Sequence, residues 1–341
     1  MRPPPGVCVV TDMNLLKSLA CMVALLSAAG ALALAAPTQR FEYSEVAMGV
    51  RARIVLYAAD EASAAKAARA AYDRIAVLEQ VMSDYRPDSE LMRLSAKAGG
   101  PAVKVSPDLL FILGKSQELA KQSNGAFDVT VGPVVKLWRK ARKAGEIPPK
   151  AEIDAARKLV GWRKLHIDPK GGRVRLDTPG MQLDLGGIAK GYGCDEAIRV
   201  LKASGIKSAL VEMGGDIVVS SAPPGTNGWE IEIPNAPRKG TDTISRHKMC
   251  LSPFLILSNA AVSSSGDTEQ YVEIGGKRYS HIVDPRTGLG LTDRIAVTVV
   301  APNGVTSDGL STAISALGEI KGRTLAKTYP GVTAYIRRAA R

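Results

Sequence analysis

The sequence predicts an α+β fold built mainly of antiparallel sheets flanked by helices. Short runs with period-two apolar alternation are joined by glycine turns into hairpins, of which residues 163–177 around Lys170-Gly171-Gly172 are the plainest. Helical patterns fall between these runs in no regular β-α-β series, and no GxGxxG fingerprint follows any of them. With 341 residues, 45% of them apolar, the chain can bury a large core as one large domain or two modest ones.

At the N-terminus Lys17 precedes an apolar run from 19 to 36, which closes on the small residues Leu32-Ala33-Leu34-Ala35-Ala36 that a signal peptidase needs. Residues 1–36 therefore read as a cleaved secretory leader, and residues 37–341 as a mature domain exported to a periplasm-like compartment. A membrane anchor is the runner-up, because the run is almost long enough to span a bilayer. Whether translation starts at Met1 or Met13 stays open. Cys8 and Cys21 leave with the leader. Cys194 and Cys250 remain without a CxxC pattern, so zinc is disfavoured, and the two are either bridged or separate thiols.

In the mature chain residues 51–57 alternate as a first strand. Residues 60–85 form a long helix with Tyr72, Ile75, Leu78 and Met82 on one side, and a turn then leads to a short helical segment at 89–94. Ser106-Pro107 is a capped helix start and Asn124-Gly125 the matching stop. Residues 125–133 are a loop or a short strand; a basic helix follows to Gly145, Pro148-Pro149 breaks it, and residues 151–160 form another. The hairpin leads into a strand at 181–185, where Met181, Leu183 and Leu185 alternate with Gln182 and Asp184. Gly186-Gly187 stops that strand and opens a helix ending at Ser204-Gly205. Strands are expected next at 208–212, 229–233, 255–258, 271–274, 278–283 and 294–301, then helices at 307–317 and 322–328 and a last strand at 332–337.

Chemistry gathers around Gly186-Gly187. A helix N-terminus offers unpaired N–H groups, glycines let a ligand approach the backbone, and Lys190 adds a cation, a combination that suits phosphate. Asp184 could hold a metal, a ribose hydroxyl or only the turn; for an isolated pattern of this kind the plain turn is the default. Met213-Gly214-Gly215-Asp216 repeats a glycine pair beside a carboxylate. Asp308 and Thr312, at i and i+4, put two hard oxygens on one helix face, which suits magnesium, although capping and packing explain the same spacing more simply. His281 precedes an Asp-Pro-Arg-Thr-Gly turn, where it could serve as a general base or bond to the turn.

Other classes drop out. No GxSxG or HExxH stretch occurs, which removes the serine hydrolase and zinc protease readings. The net charge of +12 is concentrated in residues 136–143 and at Arg337, Arg338 and Arg341, yet aromatics are only 5% and no base-stacking pattern accompanies them, so nucleic acid is not an expected partner. A solvated helix face accounts for most of the charge, leaving a general attraction for polyanionic small molecules or an acidic partner.

Taken in order, these segments resemble the ApbE family of FAD:protein FMN transferases. The resemblance rests on seven blocks: Ala47-Met48-Gly49; residues 83–91, SDYRPDSEL; residues 125–130, GAFDVT; residues 184–192, DLGGIAKGY; Gly214-Gly215-Asp216 with Ser265-Gly266; residues 281–288, HIVDPRTG; and residues 307–313, SDGLSTA. It implies an ApbE-like, T-fold-like domain that cuts FAD at its pyrophosphate and transfers FMN to a threonine or serine of an exported or membrane-associated flavoprotein, using Mg2+ and releasing AMP. By resemblance Met48, Tyr85, Ala126, Phe127, Asp128, Asp184, Lys190 and Val283 line the FAD site. Asp308, Thr312 and the Gly187 carbonyl hold magnesium, and His281 takes the acceptor's proton. The chain departs from the pattern at Ser311, where some relatives carry a further carboxylate, at Gly290, where proline is frequent, and over residues 238–254. Two other readings use the same residues: an FAD pyrophosphatase with water as acceptor, and a periplasmic FAD-binding protein without turnover.

Overall fold

Seven strands pair in the order in which they occur in the chain, each antiparallel to the next: β1 (Gln39–Ala47), β2 (Val50–Ala58), β3 (Ala209–Met213), β4 (Asp216–Val219), β5 (Ala260–Gly266), β6 (Ile295–Ala301) and β7 (Thr333–Arg338). This computed structural model describes residues 38–233, 254–266 and 271–338. The leader at 1–36, Cys250 and most of the departing stretch at 238–254 lie outside the described residues.

Eight helices are found among the described residues: α1 (Glu61–Met82), α2 (Glu90–Ser95), α3 (Pro107–Gln122), α4 (Gly132–Ala144), α5 (Lys150–Lys158), α6 (Ala189–Ala203), α7 (Gly304–Leu317) and α8 (Glu319–Ala326). Ser106 caps α3 as the sequence suggests; Asp60 and Ser89 cap α1 and α2 in the same way, each accepting from the N–H three residues on, and Gly145 closes α4 in the left-handed conformation. Helices α1, α6, α7 and α8 lie on one face of the sheet. Ala52, Ile54 and Leu56 of β2 point into that layer against Ile75, Ala197 and Leu201, while Val55 points to the other face, beneath Trp229 and Ile231 of the hairpin Trp229–Glu232/Phe254–Leu257. Each fully buried Ile or Leu contributes about 2 kcal/mol. The helix pair α6/α7 crosses closely because Gly191 and Gly304 meet: a Cβ on Gly191 would lie 2.1 Å from the Gly304 carbonyl oxygen.

Several expectations change. Residues 181–185 are extended but are not a strand; only Gln182 forms an isolated bridge, to Val131. The apolar alternation is real, with Met181, Leu183 and Leu185 buried, but the backbone bonds elsewhere: Leu183 N–H donates to Ser95 Oγ at 3.2 Å and Asp184 N–H to Val129 O at 2.8 Å. The expected strand at 278–283 breaks into Lys277–Ser280 and Val283–Asp284, with His281 in the break. Strands β1, β4 and β5 escape the sequence pattern. Strand β1 is an edge with a mostly exposed face, and β5 carries serines that pair with α7: Ser263 Oγ to Ser307 Oγ and Ser265 Oγ to Ser311 Oγ, both 2.7 Å.

Candidate active site

The segment from Asp184 to Lys190 joins two charged clusters. In the first, Lys190 Nζ lies 2.9 Å from Asp216 Oδ2 and 3.8 Å from Asp308 Oδ2, and it donates to the Gly186 carbonyl at 3.3 Å. Both carboxylates are buried, and Asp308 Oδ2 also accepts from Gly191 N–H at 3.0 Å. Burial and the neighbouring Asp216 charge raise the Asp308 pKa to about 7 against the pull of Lys190. Burial disfavours the Lys190 charge, but Asp216 and Asp308 outweigh it and hold the ammonium protonated.

In the second cluster Arg139 of α4 bridges Asp84 and Asp184, with 3.1 Å to Asp184 Oδ2, and stacks 4.1 Å over the ring of Tyr85. Asp184 Oδ1 accepts from Gly186 N–H at 2.8 Å, which ties this cluster to the glycine turn. Burial and the Asp84 charge raise the Asp184 pKa to about 6, with Arg139 acting against both.

The position of Asp308 is fixed by the start of α7. Asp195 of α6 accepts from Gly304 N–H at 2.6 Å and from Val305 N–H at 2.9 Å, so a carboxylate from the neighbouring helix satisfies the open end of α7. Burial raises the Asp195 pKa to about 6. Thr312 then stands one turn after Asp308, and its Oγ1 would be 3.0 Å from a Cβ on Gly187, so a larger residue there would press on the threonine side chain. Among the described residues no hydrogen bond engages the Thr312 hydroxyl. A buried carboxylate, a threonine hydroxyl against a glycine turn and that turn's backbone form a hard-oxygen donor set, which fits a magnesium ion completed by water and phosphate.

The other expected site residues are placed as follows. Met48 has φ 50°, and its N–H donates to Glu79 Oε2 at 3.0 Å; a Cβ on Gly193 of α6 would lie 3.3 Å from its sulfur. Ala126 and Phe127 are buried in the loop after α3. Asp128 Oδ1 accepts from Thr130 N–H at 2.9 Å and Oγ1 at 2.7 Å, and Oδ2 accepts from Trp162 N–H at 2.7 Å, so its carboxylate shapes the loop. Val283 is buried opposite Gly290. His281, half-buried, sits between Ser280, whose N–H donates to Leu291 O at 2.8 Å, and Ile282, whose carbonyl accepts from Leu291 N–H at 2.9 Å. Cys194 is a buried free thiol whose Sγ reaches the Asp216 carbonyl at 3.6 Å, and burial pushes its pKa well up.

Residues 48–336 match the model of the ApbE family. The chain belongs to the ApbE family. Among its ApbE-family relatives, an FAD:protein FMN transferase of Vibrio cholerae is 32% identical over 299 residues, covering 85% of each chain. One of the same name from Haemophilus influenzae is 36% identical over 261 residues, covering 74% of this chain and 73% of the relative. The apo crystal structure of Pseudomonas stutzeri flavinyl transferase ApbE superimposes with a TM-score of 0.77 at 31% identity, covering 89% of this chain and 93% of that one.

Arg139, Asp84 and Asp216 received no role from sequence reasoning. Asp216 carried a signal in the second Gly-Gly-Asp pattern, and Asp84 lies in the SDYRPDSEL block. Arg139 carried none, being one cation in a run of five over residues 136–143.

Proposed function

We propose that this chain is a periplasmic, magnesium-dependent FAD:protein FMN transferase that moves FMN from FAD to a threonine or serine hydroxyl of an exported or membrane-associated flavoprotein and releases AMP. The observation that carries the reading is the buried Lys190–Asp216–Asp308 cluster beside the Gly187–Thr312 contact, within a chain of the ApbE family. A lysine kept charged by two carboxylates next to a glycine turn suits a pyrophosphate.

Asp308, Thr312 and the Gly187 carbonyl would hold the magnesium, and when bound it neutralises charge on the phosphate oxygens. Lys190 adds a fixed positive charge beside the same phosphates. Tyr85, with Arg139 on its ring, and Met48, Ala126, Phe127, Asp128, Asp184 and Val283 shape the FAD site. The acceptor oxygen attacks the FMN phosphorus, the bond from that phosphorus to the AMP oxygen breaks, and AMP departs with the electron pair. His281 takes the hydroxyl proton.

The test incubates purified protein with FAD, Mg2+ and a coexpressed candidate flavoprotein and reads the acceptor by mass spectrometry. One FMN on a threonine or serine with equimolar AMP is expected. FMN and AMP released with no labelled acceptor would replace transfer by hydrolysis, and intact FAD would leave only a carrier.

A further inference from the structure

The buried face of α4 is fastened to both halves of the site. Trp138 Nε1 donates to the Gly288 carbonyl at 2.8 Å, in the turn that follows His281, and its ring lies 5.1 Å from Tyr279 on the strand that precedes His281. Arg139 reaches Asp184 and Tyr85. From α5, Arg157 donates to the Arg286 carbonyl at 2.6 Å. The helix therefore cannot shift without disturbing the residues assigned to FAD and to proton transfer.

Its opposite face is a stripe of lysines. Lys136, Lys140 and Lys143 recur at i, i+4 and i+7, are all exposed, and lie across the helix from buried Val134, Trp138 and Ala141. No carboxylate pairs with any of the three among the described residues, although Lys150 of α5 is matched by Asp154 and Lys115 of α3 by Glu118. Arg139 stands three residues after Lys136 and four before Lys143, so the stripe borders the second cluster directly. Three exposed cations on one helix, without a carboxylate partner among the described residues, form a one-signed surface whose edge adjoins Arg139 and, through it, Asp184 and Tyr85.

We infer that the exposed face of α4 docks an acidic segment of the acceptor polypeptide, next to the residue that receives FMN. This rests on the transferase reading above. Charge matching at an exposed surface acts mainly on encounter and orientation, and it weakens with ionic strength.

The probes are two labelled synthetic peptides, identical except that aspartates and glutamates flank a central threonine in one and lysines in the other. Binding is followed by fluorescence anisotropy at low and high salt. The wild-type protein is expected to bind the acidic peptide at least about tenfold tighter at low salt. The triple change Lys136→Glu, Lys140→Glu, Lys143→Glu is expected to remove that preference, with circular dichroism and FAD affinity unchanged. The control Lys66→Glu, Lys321→Glu, Lys327→Glu alters net charge equally on exposed positions of α1, α8 and the turn after α8. An equal loss in the control, or no loss in the α4 variant, overturns the docking surface. So does retention of the wild type on anionic phospholipid vesicles that excess acidic peptide fails to displace, since the stripe would then be a membrane contact. Failure of the wild type to bind FAD in the parallel titration would sink the transferase reading separately, leaving the peptide preference to decide the surface.

Discussion

Lys190 and Asp216 are joined by an ion pair of 2.9 Å that crosses from the first turn of α6 to the first residue of β4, with Asp308 of α7 3.8 Å from the same ammonium. Three elements distant in sequence thus converge on one buried cation. Lys190→Met would leave Asp216 and Asp308 facing each other without compensation. A loss of roughly 3 kcal/mol in urea unfolding at pH 7 is expected. The loss should shrink toward pH 5, where Asp308 takes up a proton. An unchanged midpoint would show that the lysine is not the keystone of the cluster.

Arg139 bridges Asp84 and Asp184 and covers Tyr85. Arg139→Ala is expected to weaken FAD binding about tenfold, because the two carboxylates lose their shared partner and the ring its stacked cation. Isothermal titration with FAD measures this, and Arg139→Lys should recover only part of it, since lysine lacks the planar fork. Full recovery by lysine would reduce the role of Arg139 to bare charge.

Asp195 gives a pH dependence with a definite sign. Its pKa is about 6 in the folded chain against about 3.9 in an unfolded one. Between these values the folded state keeps a proton that the unfolded chain has released, so this residue's contribution to stability falls as pH rises from about 4 to about 6 and is flat above. The stability of wild type minus that of Asp195→Asn should therefore drop by roughly 2–3 kcal/mol between pH 4 and pH 7. A difference that is constant with pH would contradict the buried, ionisable cap.

His281→Ala should bind FAD as the wild type does and transfer FMN about 10² to 10⁴-fold more slowly, read as labelled acceptor over time. Normal transfer would remove His281 from the proton step.

Magnesium is expected to raise the melting temperature of the wild type and to leave that of Asp308→Asn unmoved. A shift of equal size in both proteins would place the ion elsewhere.

Most helices were legible because their boundaries rest on local chemistry: Asp60, Ser89 and Ser106 cap, and Gly145 stops, without help from the rest of the chain. Strand β5 was hidden because its serines look like a loop until Ser307 and Ser311 of α7 are seen to pair with them. The run at 181–185 misled in the opposite way: alternation reports which side chains are buried, whereas a strand also needs a neighbour, and Ser95 and Val129 occupy its backbone instead. At the candidate site, spacing singled out Asp308 and Thr312 and the family blocks Gly187, and the structure brings Thr312 against Gly187. Arg139 could not be read in this way, because nothing local separates the arginine that pairs with Asp84 and Asp184 from the other cations of its run.

The sheet runs in chain order, yet residues 59–208 intervene between β2 and β3, which pair from Ala52 to Leu56 with Met213 to Ala209. Closing that ladder requires a long detour to be folded or held compact first, and such non-local pairing is slow. Asp84, Arg139, Asp184 and Lys190 all lie within the detour, and Asp216 and Asp308 beyond it. Neither stretch alone carries the buried Lys190–Asp216–Asp308 cluster, so that cluster exists only once the ladder has closed and brought residues from both sides of the detour together.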